Sequence, residues 1–164
     1  MADFTLSPLK ESDRNAVIDL FNYYIETSFA AFPETRVPYA FYDLMMETTR
    51  GYPSAAVRDQ DGVLAGFGML RPHNPLPVFT RTAEVTYFIR PGDTGRGLGA
   101  RVLRYLEEEG KKKGISCILA GISSQNEGSI RFHRNHGFSE VGRFREVGMK
   151  NGILFDVVWM EKLI

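Results

Sequence analysis

The glycine-rich stretch TGRGLGA, residues 94–100, constrains the fold of this chain more than any other part of the sequence. It follows the apolar run VTYFI and precedes RVLRYLEEE, whose apolar spacing is that of a helix. Glycines weaken a helix, but at its start they let the backbone turn and leave its first N–H groups open to a bulky anion. The stretch therefore predicts a strand, a turn and a helix that together bind a pyrophosphate group.

Two other phosphate-binding loops fit these residues less well. A Walker loop ends in Gly-Lys and then Ser or Thr, whereas Ala100 and Arg101 follow the last glycine here. The Rossmann pattern allows Ala100 as its third small residue, but the acidic residue expected about twenty positions later at a strand end is missing. Glycines that only turn the chain are the remaining alternative, and the flanking segments must decide between these possibilities.

The composition indicates one globular domain, which we expect to span residues 1–164. The chain has 164 residues, of which 43% are hydrophobic and 24% are charged, and this is enough apolar material for a sizeable core. Its 20 basic and 20 acidic residues give a formal net charge of +0, which does not favour nucleic acid or an anionic membrane as a partner. A small neutral or zwitterionic molecule is the better expectation.

The sequence favours a cytoplasmic protein without a metal. Its first residues lack the charged-then-apolar pattern of a signal peptide, and no stretch approaches the roughly 18 apolar residues of a membrane span. Cys117 is the only cysteine, which excludes an internal disulfide and a multi-cysteine metal site. It lies in the apolar run ISCILA, where a thiol is usually buried and unreactive. The three scattered histidines do not form a metal-binding pattern.

Apolar periodicity predicts an α+β fold with a mixed sheet. Two hairpin strands at 55–58 and 63–70 flank the turn residues Asp61 and Gly62, and a strand–helix–strand unit follows later in the chain. We expect a proline-rich loop over 71–79 and a first helix capped by Ser12. The further strands are predicted at 4–9, 82–89, 115–120, 139–145 and 153–159, and the further helices at 39–50, 97–113 and 127–135.

Several segments carry a resemblance to a known family. TGRGLGA resembles the pyrophosphate loop, [QR]-x-x-G-x-[GA], of the GNAT superfamily of acyl-CoA-dependent N-acyltransferases. The segment SSQNEGSIRFHRNHGF resembles the part of that family in which an Asn contacts coenzyme A. Together with TAEVTYFI and GRFREVGMKNGILFDVVWME, these segments look like the phosphinothricin and methionine sulfoximine N-acetyltransferases of that superfamily. The resemblance covers most of the chain from Thr82 onward.

The resemblance implies a fold and a reaction. The fold is a central, mostly antiparallel twisted sheet flanked by helices, with acetyl-CoA in a V-shaped opening between two strands. The reaction is acetyl transfer from acetyl-CoA, by direct attack on the thioester, to the amine of a small amino-acid-like acceptor such as phosphinothricin, methionine sulfoximine or methionine sulfone. A homodimer is also implied. Another small amine, such as a different amino acid or a polyamine, and an acyl-CoA-binding module without turnover remain alternatives.

Glu84 and His133 are the implied catalytic residues. In the strand at 82–89, Glu84 is an acid among apolar neighbours, which suits a base that takes a proton from the attacking amine. An ion pair with Arg81 is the structural alternative for this carboxylate. His133 stands where the superfamily often has a Tyr that protonates the departing thiolate, and the phosphinothricin subgroup carries His at that position.

The resemblance also carries over residues that bind the cosubstrate. Thr94 stands where the superfamily usually has Gln or Arg, and we expect Arg96 to supply the missing charge while backbone N–H groups keep the cosubstrate bound. An N–H within 87–89 is expected to polarise the thioester carbonyl. For Asn126, capping of the following helix is the alternative role. The residues assigned to coenzyme A are Tyr87, Phe88, Ile89, Thr94, Gly95, Arg96, Gly97, Leu98, Gly99, Ala100, Asn126 and Ser129.

The residues that contact the acceptor are predicted from its chemistry. An acceptor with acidic groups needs cations, and Arg71 and Arg81 bracket the proline-rich loop before the catalytic strand. Phe29, Phe32 and Tyr39 are candidates for the pocket wall. Ordinary core aromatics and solvated arginines are the alternative explanation for these five residues.

Overall fold

The computed structural model describes residues 4–164, which contain seven strands and four α-helices. Short 3₁₀ turns lie at Glu11–Asp13, Pro77–Phe79 and Pro91–Asp93. In chain order the elements are β1 Thr5–Ser7, α1 Arg14–Thr27, α2 Phe41–Thr48, β2 Ser54–Arg58, β3 Leu64–Pro72, β4 Thr82–Ile89, α3 Leu98–Lys112, β5 Cys117–Ser123, α4 Glu127–Asn135, β6 Ser139–Lys150 and β7 Ile153–Leu163.

All seven strands join in one sheet, in the order β1-β2-β3-β4-β5-β7-β6. Among these strands only β4 and β5 pair in parallel, and the other neighbours are antiparallel. The predicted α+β class with a mostly antiparallel mixed sheet is therefore confirmed. Pairing between β4 and β5 ends after Glu84 and Leu119, although β4 continues to Ile89 and β5 to Ser123. The two strands thus diverge and leave the V-shaped opening that the resemblance implies.

Helices cover both faces of the sheet. On β2, Ala55 and Val57 belong to the core beneath α3, whereas Ala56 belongs to the core beneath α1 and α2, because successive side chains of a strand point to opposite faces. The buried residues that α1 and α3 contribute to these cores are Val17, Ile18, Phe21, Ile25, Leu98, Val102, Leu103 and Leu106. This layering brings the C-terminal end of α1 and the N-terminal ends of α3 and α4 to the opening.

Some local predictions are wrong. Ser12 does not cap α1, since a 3₁₀ turn precedes the helix and Asp13 accepts a hydrogen bond from the Lys10 N–H at 2.9 Å. The loop predicted from residue 71 begins later, because Arg71 and Pro72 extend β3 and pair with β4. β5, β6 and β7 run beyond their predicted ends. In the described part of the chain, no helix has the length and apolarity needed to cross a membrane.

Candidate active site

The glycine-rich stretch lines a cavity of about 600 Å³, here called the loop cavity. Gly95 and Gly97 have φ angles of +76° and +78°, which only glycine adopts without strain, and Gly97 is the N-cap of α3. Gly99 lies against the ring of Phe132, and a Cβ on it would stand 3.3 Å from that ring. The glycines therefore shape the turn and keep the start of α3 open, as the sequence predicts.

The polar side chains of this stretch form hydrogen bonds with residues of the preceding turn. Arg96 donates to the buried Asp93 at 2.7 Å and lies over the Phe4 ring at 4.9 Å, and it is not among the residues that line the loop cavity. Arg90 donates to the same carboxylate at 2.6 Å, and the Thr94 hydroxyl donates to the Pro91 carbonyl at 2.9 Å. Arg96 thus neutralises Asp93 instead of supplying charge to the cavity. An anion here would meet backbone N–H groups and the positive end of the α3 dipole.

Residues of α4 line both the loop cavity and a smaller cavity of about 100 Å³ between the diverging strands, here called the cleft cavity. The Asn126 side chain accepts from the Ser129 N–H at 3.2 Å, so Asn126 caps α4. Asn126, Ser129 and His133 all line the cleft cavity, as their helical spacing predicts. Asn126 therefore caps its helix and also lines both cavities.

His133 is 3% exposed and has both ring nitrogens engaged. Its Nδ1 lies 2.7 Å from the Ser129 carbonyl, which can only accept, so Nδ1 carries the proton. Nε2 of the neutral ring then accepts from the Tyr87 hydroxyl. Burial lowers the pKa of His133 below its ordinary value of 6.5, which keeps the ring neutral. Burial also raises the pKa of Tyr87 well above its ordinary value, so that hydroxyl keeps its proton.

This arrangement bears on the two roles open to His133, proton donor to the thiolate or hydrogen-bond partner only. A histidine that protonates a thiolate needs a ring N–H free to meet the sulfur, and His133 uses its N–H for Ser129. Tyr87 lines both the loop cavity and the cleft cavity and carries the hydroxyl that His133 holds. The structure therefore places His133 behind Tyr87 as its hydrogen-bond partner.

Glu84 lines a third cavity of about 550 Å³, here called the aromatic cavity. Its carboxylate is paired with Arg71 and lies 3.0 Å from Nδ1 of His73, and its side chain is 15% exposed. The partner is thus Arg71, which faces Glu84 across β3 and β4, and not Arg81. His73 follows β3 and lies in no motif that marks it as a partner of Glu84.

Two of the predicted acceptor residues line the aromatic cavity, namely Phe32 and Arg71. The others do not. Phe29 packs edge-on against Phe155 at 5.8 Å, and the Tyr39 hydroxyl donates to Asp19 at 2.9 Å. Arg81 is exposed ahead of β4. Further lining residues come from α2 and the strands and carry no motif that would mark them, such as Phe41, Leu44, Met45, Val157 and Trp159.

The three cavities adjoin one another. The cleft cavity shares Tyr87, Asn126 and Ser129 with the loop cavity, and it shares Val85, Thr86 and Gly121 with the aromatic cavity. A molecule in the loop cavity and another in the aromatic cavity can therefore meet between β4 and β5. Such a geometry suits transfer of a group between two substrates.

Comparison with known proteins shows the family. The family model described as "Acetyltransferase (GNAT) family" matches residues 17–138, which is most of the chain. The chain belongs to the GNAT acetyltransferase family. It is 30% identical to the phosphinothricin N-acetyltransferase of Streptomyces coelicolor, over 98% of this chain and 96% of that protein. It is 29% identical to the L-methionine sulfoximine/L-methionine sulfone acetyltransferase of Pseudomonas aeruginosa, over 92% of this chain and 88% of that protein.

A solved GNAT structure gives the same fold. The acetyltransferase yncA of Salmonella typhimurium, solved with its cofactor acetyl-CoA, matches with a TM-score of 0.89 and 26% identity. The match covers 98% of this chain and 93% of that one. The fold of this GNAT acetyltransferase is therefore that of its family.

Two further observations bear on what this GNAT acetyltransferase can hold. Within residues 4–164, no group of three or more His, Cys, Asp or Glu side chains is placed to bind a metal ion. Cys117 is half-buried, and burial raises the pKa of its thiol above the ordinary value, which opposes formation of a nucleophilic thiolate. The loop cavity fits a pyrophosphate-bearing cosubstrate, because Gly95, Gly97 and Gly99 line it at the start of α3 and leave the backbone there without side chains.

Proposed function

We propose that this GNAT enzyme transfers an acetyl group from acetyl-CoA to the amine of a small amino-acid-like acceptor of the phosphinothricin, methionine sulfoximine or methionine sulfone type. The observation that carries the proposal is the junction of the loop and aromatic cavities between β4 and β5, with Glu84 on the aromatic side. The named relatives support the acceptor class, since they act on phosphinothricin and on methionine sulfoximine or sulfone.

We assign the loop cavity to acetyl-CoA. The backbone N–H groups at the start of α3 would bind its pyrophosphate, and Asn126 and Ser129 would contact the arm that enters the cleft cavity. A backbone N–H within 87–89, where β4 has left β5, would polarise the thioester carbonyl. Acetyl-CoA supplies a thioester that an amine can attack directly, so no nucleophilic side chain is required.

Glu84 is the proposed base. An amino-acid acceptor enters as an ammonium ion and must lose a proton before its nitrogen can attack. The Glu84 carboxylate lines the aromatic cavity at the point where β4 leaves β5, next to the proposed site of attack. Arg71 binds Glu84 in the free protein and is the cation available to an acidic group of the acceptor, with Phe32 as an apolar wall.

Tyr87 is the proposed proton donor to the departing thiolate, and His133 is its positioning residue. The Tyr87 hydroxyl stays protonated, and Tyr87 lines both the loop cavity and the cleft cavity. In the free protein His133 accepts from that hydroxyl. A phenolic O–H, unlike a ring N–H, can rotate, so it would turn from Nε2 to the sulfur when the thiolate forms. In this assignment the acid is the phenol of Tyr87 on β4, and the imidazole of His133 on α4 positions it.

We also propose a single domain over residues 1–164, a cytoplasmic location and a homodimer. The dimer proposal rests on β6, which is the last strand at one edge of the sheet. Large apolar side chains are exposed along β6 and the start of β7, namely Val141, Phe144, Val147, Met149, Ile153 and Leu154. Such a long apolar edge strand pairs readily with a second copy of itself.

Release of free thiol from acetyl-CoA tests the proposed function. The acceptors are L-amino acids, phosphinothricin, methionine sulfoximine, methionine sulfone and polyamines, and the acetylated amine is identified by mass spectrometry. We expect turnover with the phosphinothricin or methionine sulfone type, and a loss of kcat of about 100-fold or more in Glu84→Gln, because the base is removed. Glu108→Gln, at an exposed position of α3 that lines none of the cavities, is the matched control.

The alternatives give different results in this assay. Turnover with a polyamine alone would overturn the acceptor class while it leaves the reaction intact. Binding of acetyl-CoA without thiol release for any amine would indicate an acyl-CoA-binding module. Full activity of Glu84→Gln would remove Glu84 from the mechanism.

A further inference from the structure

Lys150, at the end of β6, is buried in an unusual way. It is 1% exposed, and its Nζ donates to three backbone carbonyls, those of Ile25, Ser28 and Ala31, each at 2.7 Å. A lysine ammonium has three donors, so all of them are used. These partners lie more than 100 residues earlier in the chain. Lys150 therefore ties the β6–β7 hairpin to the end of α1.

The end of α1 needs such a partner. Helices often end with a glycine in the left-handed region, but here the C-cap is Ser28, with an extended backbone at φ −155°. The carbonyl of Ile25 in the last turn consequently has no cap from its own chain segment and accepts from Lys150. The ammonium also opposes the negative end of the helix dipole. Lys150 thus takes the place of a local C-cap.

The segment that follows α1 lines all three cavities. Residues 28–33 have neither helix nor strand structure, so side-chain contacts must fix their path. Ser28 lines the loop cavity, and Ala30 lines the loop, cleft and aromatic cavities. Ala31, Phe32 and Pro33 line the aromatic cavity. A shift of this segment would change the space available to both substrates.

The same hairpin holds this segment at further points. The Asn151 N–H donates to the Glu34 carboxylate at 2.7 Å. Phe155 of β7 packs on Phe29 at 5.8 Å and on Phe32 at 5.6 Å between ring centroids. The hairpin and the segment thus form one latch, in which Lys150 is the fully buried member.

We propose that Lys150 is a positioning residue for catalysis, which sets the wall shared by the acetyl-CoA and acceptor cavities by holding residues 28–33. The assignment rests on the proposed function for the identity of the two substrates. The tether itself does not depend on the proposed function, because its three hydrogen bonds are present in the free protein.

Lys150→Met tests this assignment, with Tyr42→Phe as a matched control. Tyr42 is 1% exposed and its hydroxyl donates to the Lys10 carbonyl at 2.8 Å, but it lines none of the cavities. Lys150→Met removes three hydrogen bonds from a buried side chain to backbone carbonyls, and Tyr42→Phe removes one. We expect Lys150→Met to raise the KM for the acceptor about tenfold or more, since small misplacements near reacting groups are costly. Tyr42→Phe should leave both KM values unchanged.

Hydrogen exchange of the free protein gives a second readout. Amides of residues 28–34 should exchange faster in Lys150→Met and at the wild-type rate in Tyr42→Phe. If Lys150→Met does not fold, Glu34→Ala removes an exposed member of the latch and should shift the acceptor KM and the exchange in the same direction. Unchanged KM and exchange in the folded latch variants, or equal changes in Tyr42→Phe, would overturn the assignment. A wild-type protein without acetyltransferase activity would instead refute the proposed function. The hydrogen exchange of the variants would then still test whether Lys150 holds residues 28–34 in place.

Discussion

At the scale of single residues, His133 shows how burial and hydrogen bonding decide what a side chain can do. Its ring lies among Phe132, Phe138 and Tyr87, and its one N–H goes to a backbone carbonyl. A charged imidazole is disfavoured there, because the apolar surroundings give little solvation. His133 therefore acts as a neutral acceptor for Tyr87, and this state has a consequence for stability.

The unfolding free energy should fall as the pH drops below about 6.5, in part because of His133. Its pKa in the unfolded chain is near 6.5 and its pKa in the folded protein is lower, so between these values the unfolded state binds more protons. Above pH 6.5 both states hold a neutral ring and the contribution is constant. Chemical denaturation of wild type and His133→Gln at several pH values measures this contribution. Below pH 6.5 the unfolding free energy of the wild type should fall more steeply with decreasing pH than that of His133→Gln, by at most about 1.4 kcal/mol per pH unit. Parallel curves for the two proteins would contradict the neutral ring.

Glu84 and its partners show which parts of the site a sequence can reveal. An acid within an apolar strand is visible in the sequence, and so is the spacing of Asn126, Ser129 and His133 on one helix. Arg71 and His73 could not be matched to Glu84, because their approach depends on the register of β3 against β4. The ion pair of Arg96 with Asp93, by contrast, is local, since the two residues are three positions apart.

At the scale of elements, the turn into α3 allows the backbone and side-chain contributions to acetyl-CoA binding to be measured separately. Gly97→Ala forces a Cβ into φ +78°, which costs about 1–2 kcal/mol and opposes the turn. We expect it to raise the KM for acetyl-CoA about fivefold or more. Thr94→Ala should change that KM by less than about twofold, because the Thr94 hydroxyl is committed to Pro91 and the backbone does most of the binding.

Initial rates at varied acetyl-CoA concentration measure both effects in one series. If Thr94→Ala weakened acetyl-CoA as much as Gly97→Ala, the side chain rather than the backbone would be the main contact. An unchanged KM in Gly97→Ala would show that the left-handed turn is not needed for binding.

The elements also differ in how well the sequence predicts them. β4 and α4 match their predicted bounds. β4 is a mostly apolar run, and α4 begins directly after its N-cap, Asn126. The prediction ends β6 too early, because the register against β7 shifts between Phe144 and Gly148 and Glu146 has a φ of +51°, so the strand continues past an irregularity that the sequence does not mark. Residues 71 and 72 join β3 although Pro72 is unfavourable in a strand, and only the partner strand reveals this.

At the scale of the whole molecule, β6 should form the dimer interface. Phe144→Asp places a charge among the exposed apolar side chains of this edge and should convert a dimer into a monomer in sedimentation velocity experiments. Val78→Asp, at an exposed apolar position in the 3₁₀ turn Pro77–Phe79, is the control and should remain dimeric. A wild-type protein that sediments as a monomer would refute the interface.

In the proposed complex acetyl-CoA enters from the loop cavity and the acceptor from the aromatic cavity, and the two meet between β4 and β5. A crystal structure with coenzyme A and an acceptor amino acid tests this arrangement. We predict the pyrophosphate at the start of α3, the thiol end in the cleft cavity beside Tyr87, and the acceptor amine near Glu84 in the aromatic cavity. Coenzyme A bound elsewhere, or β4 and β5 paired beyond Glu84 and Leu119 with the opening closed, would contradict this arrangement.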